Sequence, residues 1–147
     1  MSFVKKAYDL SRKQVYFCNR SDTLDKVARI MHLNNIGSIL VGNNEEVHGI
    51  ITSNDLLRQI AINSNQKETT ANDIMSSPVI KISKNMEIDN LYEHFNKHKV
   101  SRLILTNDSD KIVGVVRDIA VFKCMSFNKF DTEARNRFAN DYVRKLY

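Results

Sequence analysis

Thr52-Ser53-Asn54-Asp55 places two hydroxyls, an amide and a carboxylate between the apolar run Gly49-Ile50-Ile51 and the helix-forming pair Leu56-Leu57. An ionised carboxylate offers only acceptors, so it can take hydrogen bonds from both vicinal hydroxyls of a sugar. If the apolar run is a strand and the quartet opens a helix, that helix N-terminus adds backbone N–H donors and a dipole that favour a phosphate. The same residues have a plain structural use. Thr52 and Asp55 stand three apart, the spacing of a capping box with Asp in place of Glu or Gln. On spacing alone the cap is the simpler reading, and the rest of the chain must decide.

The elements that position this quartet occur twice. Residues 15–20 (Val-Tyr-Phe-Cys-Asn-Arg) align with residues 79–84 (Val-Ile-Lys-Ile-Ser-Lys), 64 residues further on. The same offset carries Leu24, Val27, Ala28 and Met31 onto Ile88, Leu91, Tyr92 and Phe95, both sets at the i, i+3, i+4, i+7 spacing of a buried helix stripe. It also carries the apolar run 36–41 onto 100–105, and the lead-in residues Ala7, Asp9 and Leu10 onto Ala71, Asp73 and Ile74. After one inserted residue in a polar turn, Gly49 aligns with Gly114. A register this long, broken once and only in a turn, marks a tandem duplication. Each copy reads strand, helix, strand, turn, strand, helix. The expected fold is therefore α+β: two β-α-β-β-α repeats over 7–62 and 71–126, joined by the polar linker 63–70. A copy of about 60 residues buries little apolar surface alone, so the two are expected to pack sheet to sheet with pseudo-two-fold symmetry and clefts between them.

The lead-in Asp73-Ile74-Met75-Ser76-Ser77-Pro78-Val79-Ile80, the strand openings Ile36-Gly37-Ser38 and Val100-Ser101-Arg102, and Gly49 followed by Thr52-Ser53-Asn54-Asp55 together resemble a pair of cystathionine-β-synthase (CBS) domains, a Bateman module. The resemblance covers roughly residues 7 to 126. It implies a regulatory module that binds an adenine nucleotide of the AMP, ADP or ATP type, or S-adenosylmethionine, between the repeats, and that pairs as a homodimer. Carried over residue by residue, it gives Asp55 the ribose hydroxyls and Thr52 the phosphate. Asn54, Gly37, Ser38, Met75, Ser76, Pro78, Val79, Val100, Ser101 and Arg102 complete that site. The second cleft would draw on Val15, Ile36, Arg117 and Asp118. There the pattern departs, because Arg117 stands where Thr52 does and Ala120 where Asp55 does. That cleft is expected to be empty, weak or selective for anions held by Arg102 and Arg117. Asp118 is also a candidate N-cap for the second copy's last helix.

Little else points to chemistry. His94 and His98 have the i, i+4 spacing of a zinc pair, but neither a cysteine nor a further histidine joins them, and they read as a solvated or half-buried pair. There is no nucleophile-and-base arrangement and no phosphate-cradling glycine loop; the glycines at 37, 42, 49 and 114 fit the repeat geometry. No catalytic residue, metal or cofactor is expected, and the chain reads as a non-enzyme. With 42% hydrophobic and 27% charged residues among 147, the composition is that of a globular protein, without an apolar run of membrane-spanning length. The N-terminus lacks a signal-peptide core, and Cys18 and Cys124 match no metal or redox spacing, so reduced thiols in the cytoplasm are expected. A net charge of +5 favours anionic ligands. The scattered methionines Met31, Met75, Met86 and Met125 read as core filling. Residues 126–147 have no counterpart in the first copy. They are expected to form a helix starting at Asp131 or Thr132, with Ala134, Phe138, Tyr142 and Leu146 or Val143 on one face. That helix would close over the module or extend the dimer, or present its basic and aromatic residues to a regulated protein partner. Nucleic acid binding through it, and a scaffold dimer with a vestigial site, are the alternatives to nucleotide sensing.

Overall fold

In the computed structural model the described residues are 6–126, 132–137 and 139–140. The fold is α+β with two three-stranded sheets. The chain divides into two compact units: one is Tyr16–Val79, and the other joins the chain up to Val15 to the chain from Ile80 onward.

The first unit contains β1 (Phe17–Cys18), α1 (Leu24–Leu33), β2 (Ser38–Gly42), β3 (Val47–Thr52), α2 (Ser53–Ala61) and the short α3 (Ala71–Ile74). β2 pairs parallel to β1 and antiparallel to β3. Leu24, Val27 and Met31 form the buried stripe of α1, and they pack with Ile39, Val41 and Ile51 from one face of the sheet. Each such fully buried aliphatic side chain contributes roughly 1.5–3 kcal/mol.

The second unit repeats the plan with β4 (Lys81–Ser83), α4 (Ile88–His98), β5 (Arg102–Thr106), β6 (Ile112–Arg117) and α5 (Asp118–Ser126). Ile88, Leu91 and Phe95 of α4 pack against Leu103, Leu105 and Val116. Tyr92, placed in the buried stripe by periodicity, is instead 37% exposed, with its ring edge-on to Phe122 at 5.5 Å. Ala28, its equivalent in the first copy, is likewise only half-buried, so of the four expected positions the same three are buried in each copy. The single insertion is where the alignment puts it: the first hairpin closes on the pair Gly42 and Val47, the second on Thr106 and Ile112. The four methionines read as core filling are indeed buried in, or packed against, the two cores.

Each unit is completed by the other copy's lead-in. Ala7 and Leu10, in a 3-10 turn over Ala7–Leu10, lie in the core of the second unit, and Ala71 and Ile74 lie in the core of the first. The bonds correspond one for one. Ala7 donates to Met86 and Tyr8 to Lys84; 64 residues on, Ala71 donates to Asp22 and Asn72 to Arg20. Arg12 then exchanges two backbone bonds with Val115 of β6 (2.9 and 3.0 Å), as Ser76 does with Ile50 of β3 (2.9 and 3.0 Å).

A final helix, α6 (Thr132–Arg137), begins at one of the two expected positions. Asp131, Phe138, Tyr142, Val143 and Leu146, assigned with it from the sequence, fall outside the described residues.

Candidate functional site

β3 ends at Thr52, whose backbone is extended, and α2 starts at the next residue. Both readings of the pair meet here. Asp55 Oδ2 accepts from the Thr52 N–H (2.8 Å) and the Thr52 hydroxyl (3.1 Å), while the Asp55 N–H donates to Thr52 Oγ1 (3.4 Å). That is a capping box, closed by Asp instead of Glu. It spends one carboxylate oxygen; among the described residues Oδ1 is approached by Arg58 Nη1, at 3.9 Å. Asp55 is just 9% exposed, so a helix cap holds this carboxylate rigidly at the mouth of the strand–helix junction.

Neighbouring site residues of the first unit converge on the junction. Ser38 is the cross-strand partner of Thr52. The Ser53 N–H donates to the Gly37 carbonyl at 3.0 Å, tying the start of α2 to the start of β2. Met75 and Ser76 run along β3: a Cβ on Gly49 would come within 2.7 Å of Met75 Sδ and 2.8 Å of the Ser76 carbonyl. Asn54 is exposed in the first turn of α2, and Pro78 and Val79 end this unit. Ile36 points into the first unit's own core. A hollow of about 270 Å³ between α1 and α2, lined by Met31, His32, Ile36, Ser53 and Leu56 among others, was not foreseen, because it depends on how two helices splay.

Val15, Val100, Ser101, Arg102, Arg117 and Asp118 belong to the second unit. Its junction repeats the backbone but not the chemistry. The Asp118 N–H donates to the Ser101 carbonyl (2.9 Å), as Ser53 does to Gly37, and Arg102 faces Arg117 as Ser38 faces Thr52. Ala120, fully buried, replaces Asp55, and the reciprocal cap is gone. Asp118 is not the N-cap expected of it. It is the first residue of α5, its carboxylate accepting the N–H of Ile119 at 2.7 Å.

His94 and His98 are half-buried with their rings stacked 5.6 Å apart, and among the described residues no group of three or more metal-type ligands occurs. Cys18 and Cys124 are buried thiols, not joined in a disulfide. Burial, followed by the nearby Asp22 charge, pushes the Cys18 thiol up to about 11, which leaves it protonated and unreactive at neutral pH. No helix among the described residues is long and apolar enough to cross a membrane.

The CBS domain family model matches the chain twice, over residues 7–62 and 71–126, and the chain belongs to that family. CBS-domain pairs are regulatory ligand-binding modules. An uncharacterized protein of Methanopyrus kandleri is 31% identical over 110 residues, covering 74% of this chain and 56% of that protein. A CBS domain-containing protein of Bacillus subtilis is 26% identical over 123 residues, covering 82% of this chain and 85% of its own length. This chain therefore spans little more than half of the first relative and most of the second. Among solved structures, a CBS domain pair in complex with 5′-methylthioadenosine and S-adenosyl-L-methionine superposes with a TM-score of 0.68 at 21% identity, over 82% of this chain and 99% of that one.

Proposed function

We propose that the chain is a non-enzymatic regulatory module that binds an adenine nucleoside or nucleotide at the Thr52–Asp55 junction. The observation that carries this is the division of labour within one carboxylate: Asp55 Oδ2 closes the helix cap while Oδ1, held in a nearly buried and rigid frame, remains to accept ribose hydroxyls. A preorganised acceptor loses little entropy on binding. The first turn of α2 and the Thr52 hydroxyl supply the anion-favouring end for a phosphate. The solved relative with two adenosine-type ligands supports this ligand class. Binding that favours one packing of the module over another would bias a regulated partner by the difference in affinity.

The test is thermal melting with AMP, ADP, ATP, 5′-methylthioadenosine and S-adenosylmethionine. A ligand at 100 times its Kd stabilises by about 2.7 kcal/mol, several degrees for a chain of this size. Two variants locate it. Asp55→Glu restores the usual capping-box residue and so keeps the fold, while displacing the carboxylate by a methylene. Asp55→Asn keeps the shape and removes the charge. Both are expected to melt near the parent without ligand and to lose most of the ligand-induced shift. A shift unchanged in both variants, or no shift with any of the five ligands, would reduce Asp55 to a cap.

A further inference from the structure

We infer that the hollow between α1 and α2 is a binding site for a small aromatic molecule of the phenol type, one ring carrying a hydrogen-bonding substituent. Its walls and its rim differ in chemistry. Ala28, Met31, Ile36 and Leu56 supply apolar walls, with Met31 and Ile36 part of the first unit's core. His32, Asn35 and Ser53 also line it, and all three are exposed, so the polar groups stand where the hollow meets solvent. An imidazole, a carboxamide and a hydroxyl together offer both donors and acceptors. The backbone holds this rim in place. Asn35 sits in the left-handed turn that ends α1 (φ 51°), its N–H bonded to the His32 carbonyl at 3.1 Å and the Ile36 N–H to the Met31 carbonyl at 3.0 Å. Ser53 is tied through its N–H to Gly37. At about 270 Å³ the hollow exceeds the roughly 150 Å³ that takes a benzene ring and falls short of the roughly 300–1,000 Å³ of drug-sized sites. A single substituted ring is the size that fits.

The second unit shows what such a space takes. The repeat carries Ala28 onto Tyr92, Met31 onto Phe95 and Leu57 onto Phe122. There the Tyr92 ring lies edge-on to Phe122 at 5.5 Å, and Phe95 meets the same ring at 6.5 Å, so aromatic rings span the step from α4 to α5. Edge-to-face pairs at these separations are favourable beyond the area they bury. Between the equivalent helices of the first unit, a methyl at 28 and a thioether at 31 stand in place of two rings, and the hollow lies beside them. Apolar atoms facing a gap forgo dispersion contacts that an inserted ring restores, and the Met31 sulfur is a favourable neighbour for a ring edge. The group that the second unit has here and the first lacks is the phenol of Tyr92, so a free phenol is the chemistry the hollow matches. Every lining residue belongs to the first unit, and neither Thr52 nor Asp55 is among them.

This inference does not rest on the nucleoside reading, and one set of titrations separates the two. The probe is p-cresol, the tyrosine side chain as a free molecule, titrated into the full-length chain and followed by NMR, with toluene as the ring without the hydroxyl. Saturable p-cresol binding is expected with a Kd on the order of 1 mM, as suits so small a ligand, and toluene should bind several-fold more weakly. Ala28→Tyr places the second unit's ring in the hollow. It should melt within a few degrees of the parent, since tyrosine is only a modestly poorer helix former than alanine, and should weaken p-cresol at least tenfold. Tyr92→Ala opens the matching place in the second unit and should add p-cresol-dependent shifts around Phe122. Asp55→Asn should leave p-cresol binding unchanged. Absence of saturable binding to the parent would overturn the inference. So would an Ala28→Tyr variant that keeps its p-cresol affinity, or one that melts far below the parent and so shows no room for a ring. Toluene binding as tightly as p-cresol would remove the role given to the polar rim, and no new shifts in Tyr92→Ala would break the comparison that defines the ligand. Loss of binding in Asp55→Asn would move p-cresol to the Thr52–Asp55 junction and end the case for a separate site.

Discussion

At the scale of single residues, carboxylates in this chain are engaged by short local bonds. Asp55 and Asp73 each accept from the N–H and hydroxyl of a threonine three residues before them. These pairs are legible from spacing, because a capping box is a local motif whose partners lie within one helical turn. Asp22 was not legible: its equivalent in the second copy is Met86, so comparing the repeats gave it no weight. Burial opposes its ionisation, yet the Lys26 ammonium at 2.7 Å and the Asn19 N–H at 2.8 Å outweigh that, and its carboxyl lies below the usual value of 3.8. A carboxyl depressed in the folded state adds stability above its unfolded pKa, and that stability fades as pH falls through the folded value. The melting temperature is therefore expected to drop on acidification below about pH 4, and to drop less in Asp22→Asn. At neutral pH that variant should be destabilised by about 1 kcal/mol, a modest figure because Lys26 is largely solvated. Parallel acid curves for the two proteins would refute the assignment.

Among the elements, order, type and hairpin register were readable because periodicity and duplication reinforced one another. What could not be read was the unit each lead-in joins. An offset of 64 relates equivalent segments equally well whether a lead-in packs on its own copy or on the other, and only the tertiary fold breaks that tie. The crossing explains why glycine stands at 49 and 114, where neither residue needs a positive φ. At Gly114 a Cβ would lie 2.9 Å from Ser11 Oγ and 3.1 Å from the Arg12 carbonyl, while at Gly49 it would meet Met75 and the Ser76 carbonyl still more closely. These glycines make room for the strand that crosses over. Gly49→Ala pushes on a backbone carbonyl held by the Ile50–Ser76 bridge, so it should cost about 1–3 kcal/mol, as overpacking does. Gly114→Ala should cost less, since the nearest backbone atom there, the Arg12 carbonyl, stands off at 3.1 Å against 2.8 Å for the Ser76 carbonyl at Gly49. Chemical denaturation of both variants measures this, and equal stability in Gly49→Ala and the parent would mean the lead-in is not clamped there.

For the molecule as a whole, the duplication leaves matching apolar residues facing outward. Leu57 on α2 is 63% exposed, and its repeat-equivalent Phe122 on α5 is 41% exposed. Ile60 on α2 and Tyr92 on α4, the latter against Phe122, extend the two surfaces. A single exposed leucine needs no explanation, but the same helix position left apolar in both repeats is a pattern. We propose that a second copy of the chain covers these surfaces. A two-fold pair buries the same patch from both partners, so equivalent helices carrying equivalent apolar residues suit an isologous interface. The expected species in light scattering is then a dimer. Leu57→Lys with Phe122→Lys should shift it to monomer, because a buried unpaired lysine in each patch carries the desolvation cost of a charge. Neither side chain belongs to the Thr52–Asp55 junction, so the ligand site keeps its own readout in the variant. If the variant is monomeric and still shows the nucleoside-induced thermal shift, binding is complete within one chain. If it is monomeric and folded but loses the shift, assembly and ligand are coupled, which is the route by which a module of this kind would pass its signal to a partner. A parent chain that is monomeric throughout would dismiss the pairing and leave the apolar positions for another protein to cover.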